Sequence, residues 1–236
     1  MEKPGSGPDE KTIITSVTGQ LASIHDYTAA ISVDRGADET DRYHIFVRYP
    51  GEIRADVIAS QHWHPGSILI LSGSTLIESD PTVNTTTVLN TDPGGNLLTA
   101  LDFPGLLKRI LVNGTATFSG TVNTPGGPRY AVEFVPGDLR ESFDLRYSDY
   151  RFDRAILYAD TGTFAIKEIA LYDSGGKNLL ERVEYQDLSI NPGIPDDTFR
   201  ADLFLLGNVV TEQTHPPTVF DLDHPNGTSI VSHGNG

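Results

Sequence analysis

His62-Trp63-His64 places two imidazoles two positions apart. On an extended strand that spacing turns both rings to one face, and Asp56 or Glu78 could complete a zinc set. Pro65-Gly66 follows at once, so the pair falls on a loop, and no metal or other cofactor is expected. Trp63 suits packing at the mouth of a sheet, or a tip that contacts a partner. Two glycine-rich stretches, Asp92-Pro93-Gly94-Gly95-Asn96 and Asp173-Ser174-Gly175-Gly176-Lys177, lack the Walker spacing and its Lys-Ser/Thr pair, and read as turns. No G-x-S-x-G elbow and no recognisable Ser-His-Asp spacing occurs, so no catalytic residue is assigned. The stretch from Tyr147 to Arg154 mixes aromatics with charges. In an enzyme it could line a sugar cleft; alternating Arg and Asp also suit a sheet edge protected from aggregation. The expectation is a protein that is not an enzyme.

One cation stands apart. Arg54 follows the corner Tyr49-Pro50-Gly51 in a segment that otherwise reads as plain sheet. A guanidinium carries five donors and cannot discharge. Arg54 must therefore pair with Asp56 or Glu52 at the surface, or find backbone carbonyls if it is buried.

The whole chain narrows the partners. Its 236 residues carry 32 acids against 17 bases, a net charge of −15. Such a surface repels phosphate backbones and anionic lipid headgroups, so nucleic acid is not an expected partner. Hydrophobic residues make up 38%, enough for a sizeable core. There are no cysteines, which removes disulfides, thiolate metal sites and cysteine nucleophiles. No apolar run is long enough for a membrane-spanning helix.

The elements that must position these residues are mostly strands. Residues 1–8 read as a flexible leader, as expected of a mature form with a secretion signal or lipid-bearing cysteine removed upstream. Residues 9–213 read as a single domain, and residues 214–236, rich in His, Pro, Asn and Gly, as a flexible tail. A helix is expected from Asp9 to His25, with Asp9 as cap and Ile13, Val17, Leu21 and Ile24 at helical spacing. Roughly ten strands follow. In the second of them Tyr43, Ile45, Val47 and Tyr49 share one face, and His44, Phe46 and Arg48 the other. The stretch from Leu97 to Leu111 breaks the pattern and reads as a second helix, with Asp102 as N-cap, Pro104 in its first turn and Asn113-Gly114 as its stop. Short strands and tight turns predict a mainly β, α+β fold with one large antiparallel sheet, strongly curled or nearly closed.

The order of these pieces resembles the LolA/LolB-like lipoprotein-carrier superfamily, which includes RseB. The likeness runs from about residue 10 to 205. It rests on Tyr49-Pro50-Gly51-Glu52-Ile53-Arg54, on the apolar run Ile68-Leu69-Ile70-Leu71 with its Ser72-Gly73 turn, and on Asp80-Pro81. It continues through Ile169 to Asp173, Val183 to Asn191, and the closing turn from Asn191 to Phe199. Ala55 stands where that family usually has an aromatic. The resemblance implies an incomplete β-barrel with helices covering the concave face of a strongly curved sheet. It also implies non-enzymatic binding and transport of a lipid or lipoprotein acyl chain at the cell envelope, periplasmic or extracellular. The groove would be lined by Ile45, Val47, Ile53, Val57, Leu69, Leu71, Val132, Phe134 and Leu157, or by their alternate-face neighbours. Leu98, Leu101, Leu106, Leu107 and Ile110 would form the lid, and Arg54 would control it. A membrane-bound donor or acceptor protein would be the partner. The alternative is an envelope interaction or stress-sensing domain of the RseB type, with no lipid cargo.

Overall fold

The alternation read between Arg42 and Tyr49 governs the computed structural model of the protein. Tyr43, Ile45 and Val47 are buried in β2 (Thr40–Arg48), while His44, Phe46 and Arg48 point to the other face. The structure describes residues 7–36, 40–90, 101–137, 152–173, 177–200 and 209–213.

Helix α1 spans Glu10–Ser23. Its N-cap is Asp9, whose Oδ1 accepts a hydrogen bond from the Thr12 amide at 2.7 Å. Ile13, Val17 and Leu21 form its buried stripe. It ends two residues before the expected His25, because the chain is already extended at Ile24 to enter β1 (Asp26–Asp34). Asn191 secures that exit: its Oδ1 accepts from the His25 amide at 2.7 Å, and its Nδ2 donates to the Ser23 carbonyl at 2.9 Å.

After β2 come β3 (Glu52–Ala59), β4 (Ile68–Ser72), β5 (Thr75–Asp80) and β6 (Thr85–Asn90). Helix α2 (Phe103–Asn113) follows, capped by Asp102 at its start and Gly114 at its end. The sequence placed this helix from Leu97; Leu97 and Leu98 lie outside the described residues. The remaining strands are β7 (Thr115–Thr124), β8 (Gly127–Val135), β9 (Phe152–Asp160), β10 (Ile166–Asp173) and β11 (Leu179–Ile190). The segment 191–200 contains one 3-10 turn, Asp196–Phe199, and β12 (Val209–Gln213) comes last.

The twelve described strands belong to one sheet, in the order β12-β6-β5-β4-β3-β2-β1-β11-β10-β9-β8-β7. The pairings from β6 round to β7 are antiparallel, and β12 adds to β6 in parallel. The edges β12 and β7 do not pair with each other, so the barrel stays open. A flat sheet of this many strands would be about 50 Å wide at its usual strand spacing. Yet residues from β1 to β6 and from β8 to β11 share one buried cluster with α1 and α2. Only a strongly curled sheet brings them together. Both helices lie inside the curl, with α1 against α2, β7 and β8, and α2 against β7 and β8.

The outer face is different. Ile70, Ile77, Ile194 and Phe199 form a separate small cluster with Phe46, Ile68 and Val88 against it. The segment 191–200 thus crosses the outside of the sheet like a strap. Around it the outer face carries ion pairs, among them Arg129 with Glu168 at 2.8 Å and Arg182 with Glu168 at 3.1 Å.

Candidate functional site

Alternation along each strand decides which side chains reach the inside of the curl. Ile45 and Val47 on β2 face inward with Ile53 and Val57 on β3, and Val47 pairs directly with Ile53. Leu69 and Leu71 on β4 extend the same surface, and Leu71 pairs with Ile53. From the far side of the curl come Val132 and Phe134 on β8 and Leu157 on β9. All nine expected groove positions therefore share one cluster, and each is between 0% and 3% exposed. Leu101, Leu106, Leu107 and Ile110 join them from α2 and the residue just before its cap. The inner surface is apolar and is covered by α1 and α2.

A polar group is set into this apolar interior. Asp102 is 3% exposed, and three donors converge on its Oδ1. The Tyr49 hydroxyl donates at 2.8 Å, the Tyr27 hydroxyl at 2.9 Å and the Gly105 amide at 3.0 Å. The N-cap of α2 is thereby also the point at which α2 is tied to β1 and to the end of β2. Gly105 is required there, since a Cβ at that position would lie 1.9 Å from Asp102 Oδ2. Burial pushes the Asp102 carboxyl above its usual range; the Tyr49, Gly105 and Tyr27 hydrogen bonds and the Arg109 charge oppose this. Burial, together with the Asp102 charge, also pushes the Tyr27 and Tyr49 hydroxyls upward. Lys108 makes a second tie: its Nζ donates to the Ile24 carbonyl at 2.9 Å and sits 4.1 Å from the centre of the Tyr49 ring. Sequence reasoning identified Asp102 only as a cap. The tyrosine partners come from positions 75 and 53 residues away in the chain, and no local spacing announces them.

Arg54 lies on the other side of the sheet. It stands between the inward-facing Ile53 and Ala55, so its side chain emerges on the outer face, where it is 18% exposed. Its Nε donates to Asp56 Oδ1 at 2.7 Å, its Nη2 to Asp56 Oδ2 at 3.1 Å and its Nη1 to the Thr198 carbonyl at 3.2 Å. The guanidinium also lies 5.5 Å from the centre of the Phe46 ring. Arg48 behaves alike: it pairs with Glu52 and Asp196 and lies 4.9 Å from the centre of the Phe199 ring. These two arginines meet the strap, on the face turned away from α2.

His64 Nδ1 lies 2.7 Å from Asp80 Oδ2 at the surface, and Trp63 packs edge-on to Tyr43 at 6.3 Å between ring centres. Among the described residues no group of three or more His, Cys, Asp or Glu side chains is placed to hold a metal ion. None of the described helices is long and apolar enough to cross a membrane.

No protein-family model matches the sequence, and no curated protein matches it. Solved structures similar to it include an uncharacterised conserved protein from Thermus thermophilus. That match has 9% identity, covers 84% of this chain and 98% of the other, and has a TM-score of 0.50. A LolA superfamily protein from Nitrosomonas europaea matches at 12% identity over 80% of this chain and 98% of its own, with a TM-score of 0.38. The lipoprotein LppX from Mycobacterium tuberculosis matches at 9% identity over 78% of this chain and 96% of its own, with a TM-score of 0.45. At such identities the likeness is one of fold. The architecture implied by the sequence resemblance, an open antiparallel sheet curled over helices, is the one present.

Proposed function

We propose that this protein is a non-enzymatic carrier at the cell envelope. It binds a lipid or lipoprotein acyl chain between the curled sheet and α2, and exchanges it with a membrane-bound donor or acceptor. The observation that supports this reading is the continuous apolar surface formed by Ile45, Val47, Ile53, Val57, Leu69, Leu71, Val132, Phe134 and Leu157, which shares one cluster with α1 and the short helix α2. Such a surface needs no polar chemistry to hold a hydrocarbon tail. Burying each CH₂ contributes about 0.8 kcal/mol, so a chain of about a dozen carbons gains about 10 kcal/mol before ordering costs. Leu101, Leu106, Leu107 and Ile110 act as the lid, and binding requires α2 to lift from the sheet. Among the described residues Arg54 hydrogen-bonds to Asp56 and Thr198, so the strap is the link through which it would control the lid. Arg54→Leu is then expected to change the rate of probe uptake with folding intact; an unchanged rate removes that role.

The test is native mass spectrometry of the purified protein, followed by organic extraction and uptake of a fluorescent fatty acid. A bound acyl lipid that excess fatty acid displaces supports the carrier. An apo mass with no uptake turns the reading to an interaction or stress-sensing domain of the RseB type. The tight packing of the inner surface, with every groove position nearly inaccessible, favours that second reading.

A further inference from the structure

A hydrocarbon tail calls for no hydrogen-bond donors, yet the inner face holds three buried or half-buried tyrosines, two of them with hydroxyls at the start of α2. Tyr27 on β1 is fully buried, and Tyr185 on β11 is 6% exposed. Tyr49 follows β2 at the Pro-Gly corner. Two of the hydroxyls already point at one oxygen, Asp102 Oδ1, together with the Gly105 amide. Several donors on one oxygen form a cradle for an acceptor that carries negative charge. The third hydroxyl, that of Tyr185, is buried and has no hydrogen-bond partner among the described residues. Tyr185 stands on β11 opposite Ile31 of β1, the strand that carries Tyr27, and shares the inner buried cluster with it. A buried hydroxyl left unsatisfied costs about 1–3 kcal/mol, so an occupant that satisfied it would gain from doing so.

Asp102 belongs to α2, not to the sheet. Its bond to the Gly105 amide makes it part of the first helical turn, so it leaves the tyrosines only when that turn lifts. Lys108 and Arg109, the cations nearest to it, sit on the same helix. The acid and its counter-charges would therefore depart together. What stays on the sheet is three hydroxyl donors beside a vacated apolar surface.

We propose that Tyr27, Tyr49 and Tyr185 form a recognition site for the oxygen acceptor at the head of an acyl chain, with Asp102 as its internal stand-in while α2 is seated. The proposal rests on the carrier reading and deepens it. The ligand has a long chain that covers the apolar surface and a carboxylate or ester carbonyl that takes the place of Asp102 Oδ1. An incoming head and Asp102 compete for the same donors, so loading and lifting of α2 become one exchange.

Competition against a dansyl-labelled undecanoic acid on the full, delipidated chain tests this. Oleate, methyl oleate and 1-octadecene share a chain of similar length and differ at the head. Oleate is expected to compete about tenfold better than octadecene, the margin of one or two buried hydrogen bonds. Methyl oleate close to oleate identifies an ester as the natural head, and methyl oleate close to octadecene identifies a free carboxylate. Tyr185→Phe removes a hydroxyl that makes no bond among the described residues in the lidded state. It should hold or raise the thermal midpoint, never lower it, and cut the oleate preference about fivefold. Tyr49→Phe, which does break a bond to Asp102, should reduce the same ratio as a second reading. Equal competition by oleate and octadecene, or a ratio unchanged in both variants, overturns the headgroup site and leaves the carrier standing. No uptake of any chain overturns both.

Discussion

The two faces of the sheet seat their covering segments by opposite means. Inside the curl, α2 rests on a broad apolar cluster and is oriented by one buried acid. Outside, the strap rests on a cluster of four buried residues and is rimmed by arginines whose partners are partly exposed, Asp196 as much as 90%. Exposed ion pairs contribute little, because water and salt screen them and two long side chains must be ordered. The strap is therefore held by Phe199 and Ile194 more than by charge. The inner acid contributes in another way. Its desolvation is costly, but its three donors leave only one position for the start of α2. The lesson is that apolar area sets how firmly a segment is held, and buried polar groups set where it sits.

Truncation sharpens this contrast most. Leu107→Ala should lower stability by about 3–4 kcal/mol, since Leu107 is fully buried in the large cluster. Phe199→Ala should cost less, about 2–3 kcal/mol, because the small outer cluster can relax toward solvent. Urea midpoints compare the two, and an equal or reversed order would break the ranking of the faces.

Gly105→Ala comes next. The added methyl collides with the Asp102 carboxylate, so the first turn of α2 must shift, with an expected loss of about 2 kcal/mol. A neutral result in thermal unfolding would mean that Asp102 does not fix the position of α2.

The sign of a pH effect tests the same acid. Burial raises the folded-state carboxyl of Asp102 above its ordinary value of 3.8. The folded protein then holds this proton more tightly than the unfolded chain. Its contribution is full below the ordinary value and is lost as pH rises through the raised one. Asp102→Asn keeps a neutral acceptor and has no such titration. As pH rises above that ordinary value, wild type should therefore lose stability relative to Asp102→Asn. A difference independent of pH would show that Asp102 titrates alike in both states.

Arg54→Leu should have the smallest effect, below about 1 kcal/mol, as expected of a partly exposed pair. A loss of several kcal/mol would place the arginine among the determinants of the fold and erase the contrast between the two faces.

Much of this architecture was legible in the order of residues. Helical spacing of Ile13, Val17 and Leu21 identified α1, and Asp102, Pro104 and Gly114 bracketed α2. Alternation grouped the proposed groove residues by face, because a strand has a period of two; the structure shows that their face is the buried one. The same rule shows why Arg54 faces away from α2: it is the odd neighbour of Ile53 and Ala55. The role inferred by resemblance and the parity of the strand pointed in different directions, and parity decides where a side chain emerges. Strand β12 escaped notice because five residues pair with β6 from across a long stretch of chain, and no local pattern marks a parallel edge.

The sequence by itself determined most of the elements and which residues of a strand share a face. Those follow from backbone periodicity, turn chemistry and residue types, which act over a few neighbouring positions. Only the tertiary structure decided that the Tyr27 and Tyr49 hydroxyls share one oxygen of Asp102, that the Tyr185 hydroxyl is buried in the same cluster without a partner among the described residues, and that Arg48 and Arg54 meet the strap. These contacts join residues far apart in the chain. Their partners are chosen by the curl of the whole sheet, and no short stretch of sequence carries that information.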